Sequence, residues 1–392
     1  MTDCRELVNL RLGNPKSLLF SATMRRMVRP VGAAVVLVLL SACGLSSGGG
    51  GGGASDDTKA AATSTAPDLS EVTPLDDVRD WDGEVVASVD TPVEPVAEAP
   101  EPLLPVTVTD HQGTEVTVTD TSRVLALDVY GTLARTVFEL GMGDSLVGRD
   151  ISADFDEAAD LPLVTQNGHD LNAEAILGLD PTLIITDTSL GPWDVVLQMR
   201  DSGIPVVVLD SHRDLENVDE LIRDVAAALG VPAQGKALAE RTQQQVDDVV
   251  ARIADVAPAE EGERLRTVFL YVRGQSGVYY MFGEGSGADS LIEAIGGYDV
   301  AEEIGWNGMK PLTDEGLVAA QPDLVLMMTK GLESAGGVDG LLERLPALAE
   351  TPAGQHRRFV AMGDSQIMGF GPLTASVLNA LAVATYAPDS FS

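Results

Sequence analysis

Cysteine, basic residues and long apolar runs are all scarce in this chain of 392 residues. Its cysteines, Cys4 and Cys43, lie ahead of the region expected to fold, which excludes a disulfide framework. The 25 Lys and Arg stand against 60 Asp and Glu, a net charge of −35, so nucleic acid is not an expected partner. After residue 47 no apolar run reaches the roughly 18 residues of a spanning helix. With 45% apolar residues, the length leaves room for two domains.

Residues 1–47 have the pattern of a signal peptide. Arg25, Arg26 and Arg29 precede an apolar run from Val31 to Leu40 that is too short to span a bilayer comfortably. Leu40-Ser41-Ala42-Cys43 resembles the lipobox of bacterial lipoproteins, which implies lipid attachment at Cys43 and a location on the extracytoplasmic face of the cell membrane. The alternative is a plain secretory signal with an incidental cysteine, and Met24 or Met27 is a candidate initiator.

Residues 48–105 are predicted to form a disordered acidic tether. The segment holds 13 Asp and Glu against Lys59 and Arg79, so its net charge is 2 − 13 = −11. With few large apolar residues, it is not expected to bury enough surface to offset the entropy lost on ordering.

An internal repeat organises the remaining chain. Leu171 to Ile185 matches Leu312 to Leu326 without a gap, at a constant offset of 312 − 171 = 141 residues. Each copy has a helix-capping residue, Asn172 or Thr313, then a Glu two positions later, an apolar helix, a proline turn and a short strand. An offset of about one domain length predicts two similar lobes with a cleft between them.

Strands that alternate with helices predict an α/β fold of two Rossmann-like lobes, joined by one long helix. We expect a first lobe over residues 106–230, a linking helix over 231–257 and a second lobe over 258–390. One long helix between the lobes favours only modest closure around a ligand.

His169 is the histidine that the pattern places nearest the cleft, on the loop Asn167-Gly168-His169-Asp170 just before the first repeat. Taken alone, a solvated or capping histidine is the simpler interpretation. His111, His212 and His356 are interpreted as surface residues.

Tyr271 and Arg273 form the second candidate site. In a strand, two residues spaced by two point to the same side. A guanidinium beside a phenol favours the phenolate, which is a good ligand for ferric iron. The alternative is an ordinary core tyrosine beside an arginine that extends to solvent.

Several motifs together resemble the haemin-binding lipoproteins that serve ABC haem importers, whose fold is that of class III periplasmic binding proteins. They cover the chain from about Val106 to Tyr386, and they are Val124 to Thr136, Asn167 to Glu174, Phe269 to Gly274, Val278 to Met281, Gly287 to Ile292 and Met328 to Ser334.

This resemblance implies a monomeric receptor that carries haem as its transported ligand, performs no chemistry and delivers the haem to an ABC permease for iron uptake. It implies iron ligation by His169 from one lobe and Tyr271 from the other, with Arg273 stabilising the phenolate. It also implies permease docking through Glu174 and Glu315, although a glutamate in the first turn complements a helix dipole in any case.

A haem pocket is expected to be mainly apolar with few polar anchors. The candidate lining residues, several of which are equally compatible with the core, are Tyr130, Trp193, Tyr279, Met281, Trp306 and Met309. Arg149 and Lys330 are candidate partners for the propionates.

Two other functions remain open from the sequence. The same fold could capture a ferric siderophore or a corrinoid such as cobalamin. An anchored enzyme that uses Asp128, Asp150 and Asp170 is a third hypothesis, although no zinc-ligand spacing or clear Ser-His-Asp arrangement accompanies those acids.

Overall fold

The computed structural model describes residues 64–391. The predicted signal and lipobox region, including Cys43, lies outside the described residues, as do the first 16 residues of the predicted tether, 48–63. No helix in the described part is long and apolar enough to cross a membrane.

The rest of the predicted tether, residues 64–105, is folded. Its strands β1 Ser64–Thr65 and β2 Glu84–Ser88 pair in parallel, and β2 pairs in parallel with a strand near the end of the chain, Phe359–Met362. Its buried apolar side chains are Leu69, Val78, Trp81, Val85, Val86 and Ala87. The prediction of disorder is therefore wrong for these residues, because a few well-placed apolar side chains and a sheet edge are enough to anchor an acidic segment.

The first lobe is a small α/β unit. Its parallel sheet has the strand order β5-β8-β9, and every residue of these strands is buried, as expected of strands covered on both faces. Its elements are β3 Val106–Thr109, β4 Glu115–Val118, β5 Val124–Leu127, α1 Thr132–Glu139, β6 Thr165–Gln166, β7 Asp170–Leu171, α2 Ala173–Gly178, β8 Leu183–Thr186, α3 Trp193–Asp201, β9 Val206–Val208 and α4 Val218–Ala228.

The helix α5 Pro232–Val256 leads from the first lobe to the second. It has 25 residues and is about 37 Å long at 1.5 Å per residue. Pro232 stands in its first turn, where a missing N–H costs no helical hydrogen bond.

The second lobe holds a larger mixed sheet of order β1-β2-β15-β14-β10-β11-β13, in which β12 also pairs with β10. Its elements are β10 Arg266–Arg273, β11 Val278–Phe282, α6 Ala288–Ala294, β12 Tyr298–Asp299, α7 Val300–Glu303, β13 Met309–Pro311, α8 Asp314–Ala320, β14 Leu324–Met328, α9 Thr329–Ala335, α10 Gly337–Arg344, α11 Pro346–Ala349, α12 Pro352–His356, β15 Phe359–Met362, α13 Asp364–Ile367 and α14 Thr374–Tyr386.

The sequence repeat reappears as repeated structure. The Asn172 side chain accepts a hydrogen bond from the Ala175 amide at 3.1 Å, and the Thr313 hydroxyl accepts one from the Gly316 amide at 3.0 Å. The parallel strands β5-β8-β9 of the first lobe correspond in order to β10-β14-β15 of the second. Equivalent caps and strands at an offset of 141 residues indicate that the lobes share one architecture.

Residues 89–105, here called the strap, form a second covalent crossing between the lobes. The strap leaves β2 in the second lobe and enters β3 in the first. Arg135 of α1 donates to the carbonyls of Thr91 at 3.0 Å and Pro92 at 2.8 Å. Arg241 of α5 donates to the Glu94 carbonyl at 2.6 Å. The lobes are thus joined by α5, as predicted, and also by the strap, which sequence reasoning missed.

Candidate ligand-binding cleft

Tyr271 and Arg273 lie together at the carboxyl end of β10. The central guanidinium carbon of Arg273 is 4.6 Å from the centre of the Tyr271 ring, and both residues are half-buried. Arg273 also lies 3.6 Å from a carboxylate oxygen of Asp364. The predicted cation beside the phenol is present, but a neighbouring carboxylate shares its charge.

His169 lies on the first lobe, at the tip of the β6–β7 hairpin. Asn167 and Gly168 supply the turn with φ angles of 49° and 94°, which glycine adopts readily and asparagine tolerates. Partial burial lowers the pKa of His169, and the positive charges of Lys330 and Arg273 lower it further. Because those two cations belong to the second lobe, His169 faces the region that contains Tyr271 and Arg273.

The alternation of β11 corrects two predicted lining residues. Tyr271 pairs directly with Tyr280, and Phe269 with Phe282, so Tyr280 and Phe282 share the face of Tyr271. Met281 is fully buried in the core on the opposite face, and Tyr279 packs against the same core cluster. The assignment of Met281 and Tyr279 to the pocket is therefore wrong by one residue of alternation.

The two remaining candidates of the second lobe lie on opposite sides of the sheet. Met309 pairs with Phe282, which puts it on the face of Tyr271, and it is 55% exposed. Trp306 packs against the core cluster of Met281, and its indole N–H donates to the Met281 carbonyl at 2.9 Å. Trp306 is thus a core residue rather than a pocket residue.

The first-lobe aromatic candidates also separate. Tyr130 is half-buried, follows β5 and lies 5.8 Å from the Arg213 guanidinium, and burial raises the pKa of its phenol. Trp193 packs against the first-lobe core and lies 5.9 Å from Arg200, which binds Asp110 in the β3–β4 hairpin. These contacts tie Trp193 to its own lobe.

The two predicted propionate partners differ in position. Lys330 is exposed at the start of α9, and its charge lowers the pKa of His169, so it lies at the cleft. Arg149 donates to the carbonyl of its neighbour Asp150 at 3.2 Å.

A cavity of about 250 Å³ lies where the strap, the first lobe and the second lobe meet. Tyr130, Phe155 and Phe370 form part of its wall. The Thr132 hydroxyl donates to the Gly369 carbonyl beside it, and the Ser365 hydroxyl donates to Asp154 at 3.0 Å, so the lobes touch here. The cavity shares Tyr130 with the predicted site, whereas His169 and Tyr271 are not among its lining residues.

The acids that suggested an enzyme are buried. Asp128 and Asp150 have no exposed surface, and the Asp128 amide donates to Asp150 at 3.3 Å. Arg213 lies 2.6 Å from Asp187 and 3.7 Å from Asp128. Burial raises the pKa of all three carboxyls. The cluster fixes the loops behind Tyr130, whereas Asp170 is exposed on the β6–β7 hairpin.

Glu174 and Glu315 occupy equivalent positions in the two lobes. Each is exposed in the first turn of its helix, α2 or α8, directly after the capping residue and one more position. Because each helix precedes a parallel strand, both glutamates lie towards the carboxyl edge of their sheet, the edge where ligands bind in such folds.

Residues 129–365 match the family described as periplasmic binding protein, and the chain belongs to that family. The solved structure of the heme binding protein HmuT is 40% identical and superposes with a TM-score of 0.75, covering 79% of this chain and 99% of its own. The periplasmic heme-binding protein RhuT from Roseiflexus sp. RS-1 is 38% identical, with a TM-score of 0.61 and coverage of 70% and 100%. These matches agree with the class III fold expected from the sequence.

A cobalamin-binding protein from Halobacterium salinarum is 29% identical over 232 residues, or 57% of this chain. The match spans 58% of that curated relative's own length.

Proposed function

We propose that this protein is an extracytoplasmic receptor that binds haem between its lobes and delivers it to an ABC importer for iron uptake. The observation that carries the proposal is the placement of a phenol with an adjacent guanidinium on one lobe and of an imidazole that senses that guanidinium on the other. Structural neighbours named as heme-binding proteins support the same ligand.

His169 and Tyr271 ligate the haem iron from opposite sides in this proposal. Variants of HmuT that replace one histidine, one tyrosine, or an arginine two positions after that tyrosine have solved structures. Tyr271 and Arg273 have the same spacing. Neutral imidazole is the form that binds iron, and a lowered pKa keeps His169 in that form at neutral pH.

The remaining cleft residues supply apolar walls and charge. Phe282, Tyr280 and Met309 lie on the face of Tyr271, and Tyr130 faces them from the first lobe. Lys330 is the proposed partner of a haem propionate, because it is an exposed cation beside His169.

Haemin added to the purified protein should give a saturable, shifted Soret band at one equivalent, while the protein elutes as a monomer. The returned porphyrin should be intact, since the buried Asp128 and Asp150 offer no accessible catalytic pair. Absence of saturable haemin binding would overturn the proposal.

A corrinoid is the second candidate ligand, and the Halobacterium relative favours it. A parallel titration with cobalamin separates the two ligands. Saturable cobalamin binding that survives replacement of both His169 and Tyr271 would support the corrinoid receptor instead.

Membrane anchoring through Cys43 is part of the same proposal. A lipid at this cysteine would keep the receptor beside its permease. Metabolic labelling with a fatty acid should mark the wild-type protein and leave Cys43→Ser unlabelled.

Glu174 and Glu315 are the proposed contacts with arginines of the permease subunits. Reversing both charges, Glu174→Arg with Glu315→Arg, should abolish haemin uptake and leave haemin affinity unchanged, because both residues are exposed outside the iron site. Uptake of haemin by cells that carry the variant measures this.

Glu261→Arg is the matched control, since Glu261 is an exposed glutamate near the amino end of β10, away from the carboxyl edge. Normal uptake by the double variant would show that docking uses other residues.

A further inference from the structure

A second phenol stands beside Tyr271. In the antiparallel pair of β10 and β11, Tyr271 is directly opposite Tyr280. Directly opposed residues share one face of a sheet, with Cβ atoms about 5 Å apart. Both tyrosines are half-buried, whereas Met281 on the other face is fully buried.

Neither of these phenols has a hydrogen-bond partner within residues 64–391. The buried Tyr386, by contrast, donates its hydroxyl to the Ile295 carbonyl at 2.7 Å. Half-buried tyrosine hydroxyls usually find a partner in the protein or in a ligand. Two adjacent phenols without a protein partner therefore indicate a surface that is completed by a bound molecule.

The surroundings of Arg273 leave a requirement that Tyr280 can meet. Its guanidinium is 4.6 Å from the centre of the Tyr271 ring, but it also lies 3.6 Å from Asp364. The carboxylate offsets part of the positive charge that would stabilise a phenolate at Tyr271. A neutral O–H donor close to the phenolate oxygen would supply stabilisation that the shared guanidinium does not.

We propose that Tyr280 is a positioning residue of the ligand site, whose hydroxyl donates a hydrogen bond to the phenolate oxygen of Tyr271 when that oxygen binds iron. The inference rests on the proposed haem-binding function. Tyr280 does not ligate the metal in this arrangement. It withdraws electron density from the ligand that does, and it holds the Tyr271 ring in place against Phe282, whose ring centre lies 6.2 Å away.

The test compares Tyr280→Phe with Tyr279→Phe in the full chain. These neighbours on β11 point to opposite faces, so both variants lose one hydroxyl but only one loses it at the site. We expect Tyr280→Phe to weaken haemin binding about tenfold, the effect of one charge-assisted hydrogen bond. The phenolate-to-iron charge-transfer band should move to lower energy, and the reduction potential of the bound iron should fall.

The outcomes are distinguishable. If the wild type binds no haemin, the proposed function fails and the inference fails with it. If the wild type binds haemin but Tyr280→Phe matches Tyr279→Phe in affinity, band position and potential, the hydrogen bond is absent while the function stands. If Tyr280→Phe loses the charge-transfer band entirely, Tyr280 is itself the iron ligand and the positioning role is wrong.

Discussion

Replacing Tyr271 by Phe should lower haemin affinity at least about 100-fold. Second-shell changes at metal sites typically cost 10- to 100-fold, so loss of a ligand atom should reach or exceed the upper end of that range. Phe keeps the ring that stacks on Phe282 and the contact with Arg273, which confines the change to one oxygen. Titration followed at the Soret band measures the affinity, and the phenolate-to-iron band should vanish.

His169→Ala provides the complementary measurement. Because His169 is exposed on a hairpin tip, its removal should leave protein stability unchanged and reduce haemin affinity less than Tyr271→Phe does. The charge-transfer band should persist in this variant. Unchanged affinity in both variants would remove the two-ligand arrangement, and Tyr279→Phe shows what loss of a phenol elsewhere on the sheet does.

Gly141→Ala should destabilise the protein by about 2 to 5 kcal/mol, because it adds an overpacked contact to an unfavourable backbone conformation. Gly141 has a φ of +82°, and a Cβ there would lie 2.0 Å from the carbonyl oxygen of Ala97 in the strap. Backbone cannot yield as a flexible side chain can, so the strap must move. Urea denaturation gives the loss of stability, and limited proteolysis reports exposure of residues 89–105.

Gly203→Ala is the control for backbone strain. Gly203 has the same φ of +82°, with no atom within 4 Å of an added Cβ. It should lose only the roughly 1 to 2 kcal/mol of a left-handed alanine and keep the strap protected from protease. Equal losses in the two variants would show that the contact between Gly141 and the strap contributes nothing.

Local sequence signals were sufficient for most of the fold. Asn172 and Thr313 mark two helix starts because their side chains cap those helices. The strand predicted at Leu183 coincides with β8, and Pro232 begins the long helix as expected. These elements carry their own caps, turns and apolar runs, so each can be predicted from neighbouring residues.

β2 could not be predicted in this way. Its five residues pair with β15, and the partners of Val85 and Val86 are Val360 and Ala361, about 275 positions further along the chain. A short apolar run within an acidic segment resembles a disordered region until the distant sheet edge is known. Composition therefore gave the wrong answer for residues 64–105.

The site shows the same division between local and distant information. The same-side placement of Tyr271 and Arg273 follows from their spacing alone. The choice between Tyr279 and Tyr280 depends on the register of β11 against β10, which the turn through Gly277, with a φ of +65°, sets. Had the hairpin been paired residue by residue, the predicted lining would have shifted from Met281 to Tyr280 and Phe282.

The strap changes what opening the cleft requires. Two lobes on a lone helix can swing about its ends, whereas lobes spanned by two chain segments at separate points must stretch or release one of them. The buried Arg135 pairs with Glu139 while it grips the strap, so release would leave that ion pair without part of its surroundings. The cargo thus enters a nearly preformed slot, and its unloading must be driven by whatever machine docks against the rim.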